Sequence, residues 1–166
     1  MSNNTFKVGS KINHMLKGVN QTLFLTISFG AILILKIILG IIFGDSFSLP
    51  EIFIESKTDI WFLSYAVILG PLLETLIFQF LIIRLILHFF KKTNYVGWYA
   101  CFTSAIIFGS LHYYSFAYII VALCIGLVLG YIYLLSIERK EKPILNTWLV
   151  HSANNLFAFI LMQFIY

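Results

Sequence analysis

Charged residues are scarce in this 166-residue chain. Only 11% of the residues are Asp, Glu, Lys or Arg, and 60% are hydrophobic, whereas an ordinary soluble domain has about 25% charged residues. A soluble domain of this size and composition would lack the polar surface that water requires. The composition therefore excludes soluble enzymes, nucleic-acid binders and disordered regulators, and it predicts a polytopic membrane protein with lipid, not nucleic acid, around it.

Other signals are also missing. The two cysteines, Cys101 and Cys124, lie in apolar stretches without CxxC spacing, which is typical of small buried residues and indicates no redox motif. No small-residue cleavage site follows the first apolar run, so a cleavable signal peptide is not expected. The chain shows no internal repeat, and an inverted-repeat transporter is therefore not favoured.

Five apolar runs predict an all-α bundle of about five membrane spans. The second run is too long for one perpendicular helix and contains Gly70-Pro71, so it is either a short piece before a helix opening near Pro71 or one long kinked helix. Residues 1–21 form a basic tail and residues 22–166 a membrane domain. In the fourth run, Gly126 and Gly130 predict a close helix contact. The runs cover residues 23–43, 60–90, 97–112, 116–136 and 144–165.

Basic residues orient these spans. Five alternating passes place eight lysines and arginines on one side, and Lys57 alone lies in an opposite loop, within the polar segment 45–59. Since basic loops stay in the cytoplasm, the N-terminus is predicted to be cytoplasmic. The eight are Lys7, Lys11, Lys17, Lys91, Lys92, Arg139, Lys140 and Lys142.

A few polar groups lie at membrane depth, where a charge costs roughly 2.5–3.5 kcal/mol on insertion scales. Glu74 is the only carboxylate there, and His112 and His151 are the only histidines within the apolar runs away from the basic ends. His151 and Asn155 are four residues apart and share a helix face. When residues are counted from the basic ends of the spans at 1.5 Å per residue, His112 is predicted to lie about 12 Å deeper in the membrane than His151. A tilted, deeply placed or re-entrant helix would close this gap. Lys36 either extends its amine to an interface or contacts an acid or a substrate carboxylate.

This set of side chains suits hydrolysis without a covalent intermediate. A buried carboxylate can act as a general base, a histidine can hold the same water, and a second histidine with an amide can stabilise an oxyanion. The competing interpretation is a polar network that only fixes helix packing. A transporter with Glu74 as its proton site is a third interpretation, weakened by the absence of a second membrane acid.

Other intramembrane proteases are excluded by their missing motifs. The chain has no HExxH for a zinc metalloprotease. It has no GxSG nucleophile, because Gly109-Ser110-Leu111-His112 differs from that pattern. An aspartyl protease needs two membrane aspartates, whereas Asp45 and Asp59 lie in the polar segment between the first two runs. Only a glutamate-based protease survives this comparison.

Three patterns occur in order along the chain. They are Glu74-Thr75-Leu-Ile-Phe-Gln79, Phe108-Gly-Ser-Leu-His112 and His151-Ser-Ala-Asn-Asn155. Their order and spacing resemble the EExxxR, FxxxH and HxxxN motifs of the CPBP family, which comprises CAAX prenyl proteases and bacteriocin-processing enzymes and is also called the Abi family. The resemblance covers residues 60–166, which would form the catalytic core.

The resemblance implies the role of each residue. Glu74 would be the general base and His112 its partner on the water, while His151 and Asn155 would form the oxyanion site. Thr75, Gln79 and Phe108 would support the site or contact the substrate. The first motif departs from the family pattern, since threonine and glutamine replace its second glutamate and its arginine. A neutral hydrogen bond between Thr75 and Gln79 is predicted to replace an ion pair there.

The resemblance also implies an activity. The chain would be an intramembrane endopeptidase that cleaves a peptide or membrane-anchored protein in a cell membrane, with a bacterial inner or plasma membrane favoured. CAAX-type tails, bacteriocin leaders and peptide pheromones are candidate substrates. A metal-free mechanism without cofactor is favoured, with zinc on Glu74, His112 and His151 as the alternative. A catalytically inactive immunity or partner protein of the same fold is the alternative function. The oligomeric state does not follow from the sequence.

Overall fold

The structure is a computed structural model that describes residues 11–44, 60–90 and 95–165. These residues form helices without any strand, which confirms the predicted all-α bundle. The predicted basic residues Lys7, Lys91 and Lys92, and the segment 45–59 with Lys57, lie outside the described residues. The helices are α1 (Lys11–Gly18), α2 (Gln21–Phe43), α3 (Ile60–Phe89), α4 (Val96–Ser110), α5 (Phe116–Glu138) and α6 (Pro143–Ile165).

Three of these helices are long and apolar enough to cross a membrane, namely α2, α3 and α5. Helix α4 is apolar but has only 15 residues. Helix α6 has 23 residues, or about 34 Å at 1.5 Å per residue, against a hydrocarbon core of about 30 Å. The chain is a multi-pass membrane protein, and the cytoplasmic placement of its N-terminus stays a prediction.

Helix α5 is the centre of the bundle, and it packs closely against α4. A Cβ added at Gly126 would lie 3.2 Å from Cα of Ala105, and one added at Gly130 would lie 2.8 Å from Sγ of Cys101. Both glycines therefore let the two helices approach, as predicted. Gly109 on α4 makes the reciprocal contact with the α5 backbone, which the sequence did not indicate.

Helix α3 is continuous, and it passes through Pro71 by changing its hydrogen-bond register. Residues Tyr65–Leu69 and Thr75–Ile82 form π-helical turns, and the amide of Gly70 bonds the carbonyl of Tyr65, five residues back. In that register Pro71 would bond the carbonyl of Ala66, but proline has no N–H. The long-helix alternative is therefore the correct one of the two that were predicted.

Several basic residues lie at one end of the bundle, which we call the basic end. It comprises Lys17, Arg139, Lys140 and Lys142. Part of the predicted tail is ordered there as α1. The guanidinium of Arg139 donates to the carbonyls of Leu16 and Val19 and to Glu141, and it lies over the ring of Phe24. Because Arg139 follows α5 directly, these bonds fix the start of α2 against the central helix.

A second set of hydrogen bonds continues this attachment to α6. Asn146 donates to Glu141 over 2.8 Å and accepts from Gln21 over 2.7 Å. The hydrogen bond from Arg139 and, to a lesser degree, the one from Asn146 lower the pKa of Glu141, against the opposing effect of burial. Helices α2, α5 and α6 are therefore joined at the basic end by one polar network.

Candidate active site

Glu74 lies near the middle of α3, at the point where the helix changes to its second π-helical turn. Its side chain is 32% exposed, so the carboxylate can be reached from outside the core. The side chains around it come from two other helical regions, namely the end of α4 and the first half of α6. The site is therefore built by three separate parts of the chain around one carboxylate.

His112 lies in the turn that follows α4. Its Nδ1 is 2.7 Å from the carbonyl oxygen of Phe108. Since a carbonyl only accepts, Nδ1 carries the proton, and Nε2 of the neutral ring is left as an acceptor. This Nε2 is 4.0 Å from Oε1 of Glu74. Two hydrogen bonds of about 2.8 Å from one water span roughly 4 Å, so a single water can bridge these two acceptors.

His151 approaches the other oxygen of the same carboxylate. Its Nε2 is 3.4 Å from Oε2 of Glu74, and its side chain is only 3% exposed. The ring of Phe108 packs against both histidines, with centroid distances of 4.4 Å to His112 and 5.8 Å to His151. Phe108 is itself buried, so its observed contacts are those of a packing residue that spaces the two imidazoles.

Asn155 is tied to the break in α3. Its Nδ2 donates to the carbonyl of Ala66 over 2.9 Å, which supplies the donor that Pro71 lacks. Its Oδ1 accepts from Nδ2 of Asn154 over 3.0 Å. An amide nitrogen carries two hydrogens. One N–H of Asn155 donates to Ala66, and the second makes no further hydrogen bond among the described residues. Asn154 has no predicted role of its own.

Thr75 and Gln79 are both completely buried beside Glu74. Their predicted mutual hydrogen bond is absent from this part of the structure, because Oγ1 of Thr75 and both polar atoms of Gln79 have no hydrogen-bond partner. Both residues lie in the π-helical turn over Thr75–Ile82.

The arrangement was also tested against a zinc centre. Within the ranges that the structure describes, no three His, Cys, Asp or Glu side chains are arranged to hold a metal ion. A zinc-bound histidine usually donates its second N–H to a partner. His112 does so, but Nδ1 of His151 has no hydrogen-bond partner. The residues as arranged do not fit a zinc centre, and metal independence stays a prediction with its own test.

Two residues near the site were not placed there by the sequence. Tyr118 stacks on the ring of His112 at 6.0 Å, because Ser115 caps α5 and begins the helix directly after the His112 turn. Lys36 lies in α2 on the face that packs against α5 and α6, and its positive charge acts on the His151 ring. An isolated charge inside an apolar run was the available signal for Lys36, whereas Tyr118 gave none among nine tyrosines.

The chain was compared with known proteins. Residues 56–157, more than half of the chain, match the family described as type II CAAX prenyl endopeptidase, Rce1-like. The matched range contains Glu74, His112, His151 and Asn155, and it excludes α2 with Lys36. No curated protein and no solved structure matches the chain.

Proposed function

This chain belongs to the Rce1-like family of type II CAAX prenyl endopeptidases, and we propose that it hydrolyses a peptide bond of a membrane-associated peptide or protein with Glu74 as the general base. Membership confirms the resemblance that the three ordered motifs indicated. The family is one of CAAX-type membrane proteases, so a peptide or protein substrate follows from membership. The mechanism and the individual substrate are the proposal.

The supporting observation is the convergence of two histidines on the two oxygens of one carboxylate. Nε2 of His112 lies 4.0 Å from one oxygen and Nε2 of His151 lies 3.4 Å from the other. The three side chains come from α3, from the turn after α4 and from α6. A packing network needs only satisfied hydrogen bonds, whereas this arrangement leaves a water-sized separation at a partly exposed carboxylate.

The proposed reaction needs only water and the peptide. Water held between Glu74 and Nε2 of His112 gives a proton to Glu74 as its oxygen bonds the carbonyl carbon. The resulting oxyanion accepts hydrogen bonds from the Nε2–H of His151 and the uncommitted N–H of Asn155. The C–N bond then breaks, and Glu74 returns the proton to the leaving amine. The products are a carboxylic acid and an amine.

Terminus profiling of the host's membrane and secreted fractions tests this proposal. Wild type would be compared with Glu74→Gln at matched expression, with Glu138→Gln as a control that makes the same change outside the site. We expect peptide termini that are present in wild type and in the control but missing in Glu74→Gln. The sequences around those termini would also separate CAAX-type tails from bacteriocin leaders and peptide pheromones. Identical profiles from a folded Glu74→Gln protein would refute the proposal.

An inactive partner or immunity protein of the same fold is the second candidate. It is favoured by the altered first motif, in which the buried side chains of Thr75 and Gln79 have no hydrogen-bond partner in the part of the chain that the structure describes. In that case Glu74→Gln would leave every terminus unchanged and would alter only co-purification with another membrane protein.

Metal independence is tested separately. The purified protein would be treated with a strong chelator, and its metal content would be measured by mass spectrometry beside its peptidase rate. We expect full activity at a zinc content far below one per chain. Activity that disappears with the metal and returns with zinc would show that the metal-free mechanism is wrong.

A further inference from the structure

Lys36 is the only charged residue within the described length of α2, and it lies on the inner face of that helix. Ile32 and Leu39, its neighbours on the same face, are buried. Ile37 and Ile38 point outward and are 62% and 49% exposed. In a membrane protein the outward face meets lipid, and Lys36, which is half-buried, leaves α2 on the inner side. Of the two roles that its sequence position allowed, extension to an interface is therefore not favoured.

The inner face of α2 meets the helices that carry the site. Ile32 and Leu39 belong to one buried cluster with Val121 of α5 and Val150 of α6. Val150 directly precedes His151, and Val121 is one turn beyond Tyr118, which stacks on His112. Lys36 lies between Ile32 and Leu39 on the same face, and its positive charge acts on the His151 ring. Lys36 therefore lies on the side of α2 that packs against the helices that carry the site.

Lys36 also has no partner of its own within the ranges that the structure describes. Its amine forms no hydrogen bond or ion pair there. The three acids in those ranges are engaged elsewhere, since Glu74 meets the two histidines, Glu138 pairs with Lys17, and Glu141 pairs with Arg139. An inward cation without a counter-ion is costly in an apolar bundle. A lysine at this position is therefore explained if an anionic group of a bound molecule pairs with it.

We propose that Lys36 forms an anion-binding subsite that holds a carboxylate of the substrate peptide while Glu74 and the histidines act on its scissile bond. A carboxylate is the anionic group that a peptide carries, either at its C-terminus or on an acidic side chain. An ammonium–carboxylate hydrogen bond away from water is among the stronger ones in proteins. The subsite would select peptides cut close to a carboxylate. This inference rests on the proposed function, and it adds a residue outside the range that matched the family.

Binding of labelled peptides tests the subsite without relying on cleavage. The full chain in lipid nanodiscs would carry Glu74→Gln, so that the peptide stays intact. The probe is a fluorescent farnesyl-cysteine tetrapeptide with a free C-terminal carboxylate, beside the same peptide with a C-terminal amide. A third peptide has the amide and an aspartate as its last residue, which distinguishes a side-chain carboxylate from a terminal one. The variants are Lys36→Met and Lys36→Arg, with Lys140→Met as a control that removes an exposed charge from the basic end.

We expect the free acid to bind at least about tenfold tighter than the amide, as a charged hydrogen bond of ordinary strength requires. Lys36→Met should remove this preference and leave the affinity for the amide unchanged. Lys36→Arg should keep most of the preference, and Lys140→Met should keep all of it. Tight binding of the aspartate peptide would extend the subsite to side-chain carboxylates.

Several results would overturn the proposal. Equal binding of acid and amide, or no binding of any of the peptides, would exclude a carboxylate subsite for this class of peptide. Equal weakening of acid and amide by Lys36→Met would show a structural role. Failure of the proposed function would look different, because the protein with Glu74 intact would then bind the free acid through Lys36 without cleaving it.

Discussion

The spacing between α4 and α5 should control catalysis, and Gly109 offers a way to change that spacing alone. A Cβ added at Gly109 would lie 2.8 Å from Cβ and 2.9 Å from Cα of Leu123. Carbon atoms in ordinary contact are about 3.5 Å apart. Since Leu123 presents its backbone here and cannot rotate away, Gly109→Ala must separate the two helices locally by about 0.7 Å.

This displacement reaches the site through the turn that holds His112. The amide of His112 donates to the carbonyl of Gly109 over 3.0 Å, so the imidazole moves with the glycine while Glu74 stays on α3. A change of this size alters the 4.0 Å separation that one water bridges. A misplacement of about 1 Å can lower a rate about 100-fold. We expect kcat to fall by about 10- to 100-fold and the folded state to lose about 1–3 kcal/mol from overpacking.

The assay is cleavage of the peptide identified by terminus profiling, with thermal unfolding measured on the same nanodisc sample. Gly30→Ala is a matched control, because a Cβ at Gly30 meets nothing within 4 Å. It should leave kcat unchanged and, as a helical glycine-to-alanine change, stabilise by about 0.5–1 kcal/mol. A folded Gly109→Ala protein that cleaves as fast as wild type would refute the idea that this helix contact positions His112.

Two further predictions concern stability. The pKa of Glu141 is lowered from its ordinary 4.5, mainly by the hydrogen bond from Arg139. The ionised carboxylate therefore stabilises the fold at pH values above 4.5. This contribution is lost as the pH falls below 4.5 and through the lowered pKa of the folded state. Wild type should therefore lose more thermal stability than Glu141→Gln between about pH 6 and pH 3, and equal losses would contradict this assignment. Gln79 has two buried polar atoms without hydrogen-bond partners among the described residues. Gln79→Met, which keeps its shape, should stabilise the protein by about 1–3 kcal/mol in thermal unfolding, whereas a loss would mean that the amide has a partner in the membrane-embedded protein.

Much of the fold could be predicted because a membrane restricts what a sequence can do. Apolar runs and the side on which basic residues fall indicated five spans, and the described helices agree with the runs. The convergence of Glu74, His112 and His151 could also be predicted, since few polar groups lie at membrane depth and each such group needs a partner. The convergence of these three residues could be predicted without the helix angles, whereas the details of helix packing could not.

Two details of helix geometry could not be predicted from the sequence. Counting residues at 1.5 Å each predicted a depth difference of about 12 Å between His112 and His151, yet both lie within 4.0 Å of one carboxylate. Counting assumes straight helices perpendicular to the membrane, whereas a tilted, deeply placed or re-entrant helix brings the two histidines to the same depth. The predicted bond between Thr75 and Gln79 assumed an α-helical turn, whereas both residues lie in a π-helical stretch and form no hydrogen bond with each other. Local propensity gives no sign of that register, although Pro71 marks its neighbourhood.

Asn155 shows how this backbone irregularity and the chemistry depend on each other. The register of α3 leaves the carbonyl of Ala66 without a backbone donor, because Pro71 has no N–H, and Nδ2 of Asn155 fills that place. The same bond fixes the amide one helical turn from His151, with a second N–H available for an oxyanion. Loss of activity on removing Asn155 would therefore not by itself identify an oxyanion donor, since the break in α3 would lose its support and Glu74 lies just beyond it. Pro71 and Asn155 therefore act together. The carbonyl of Ala66, left free by the proline, fixes the amide of Asn155, and the amide stabilises the break in the helix that carries the general base.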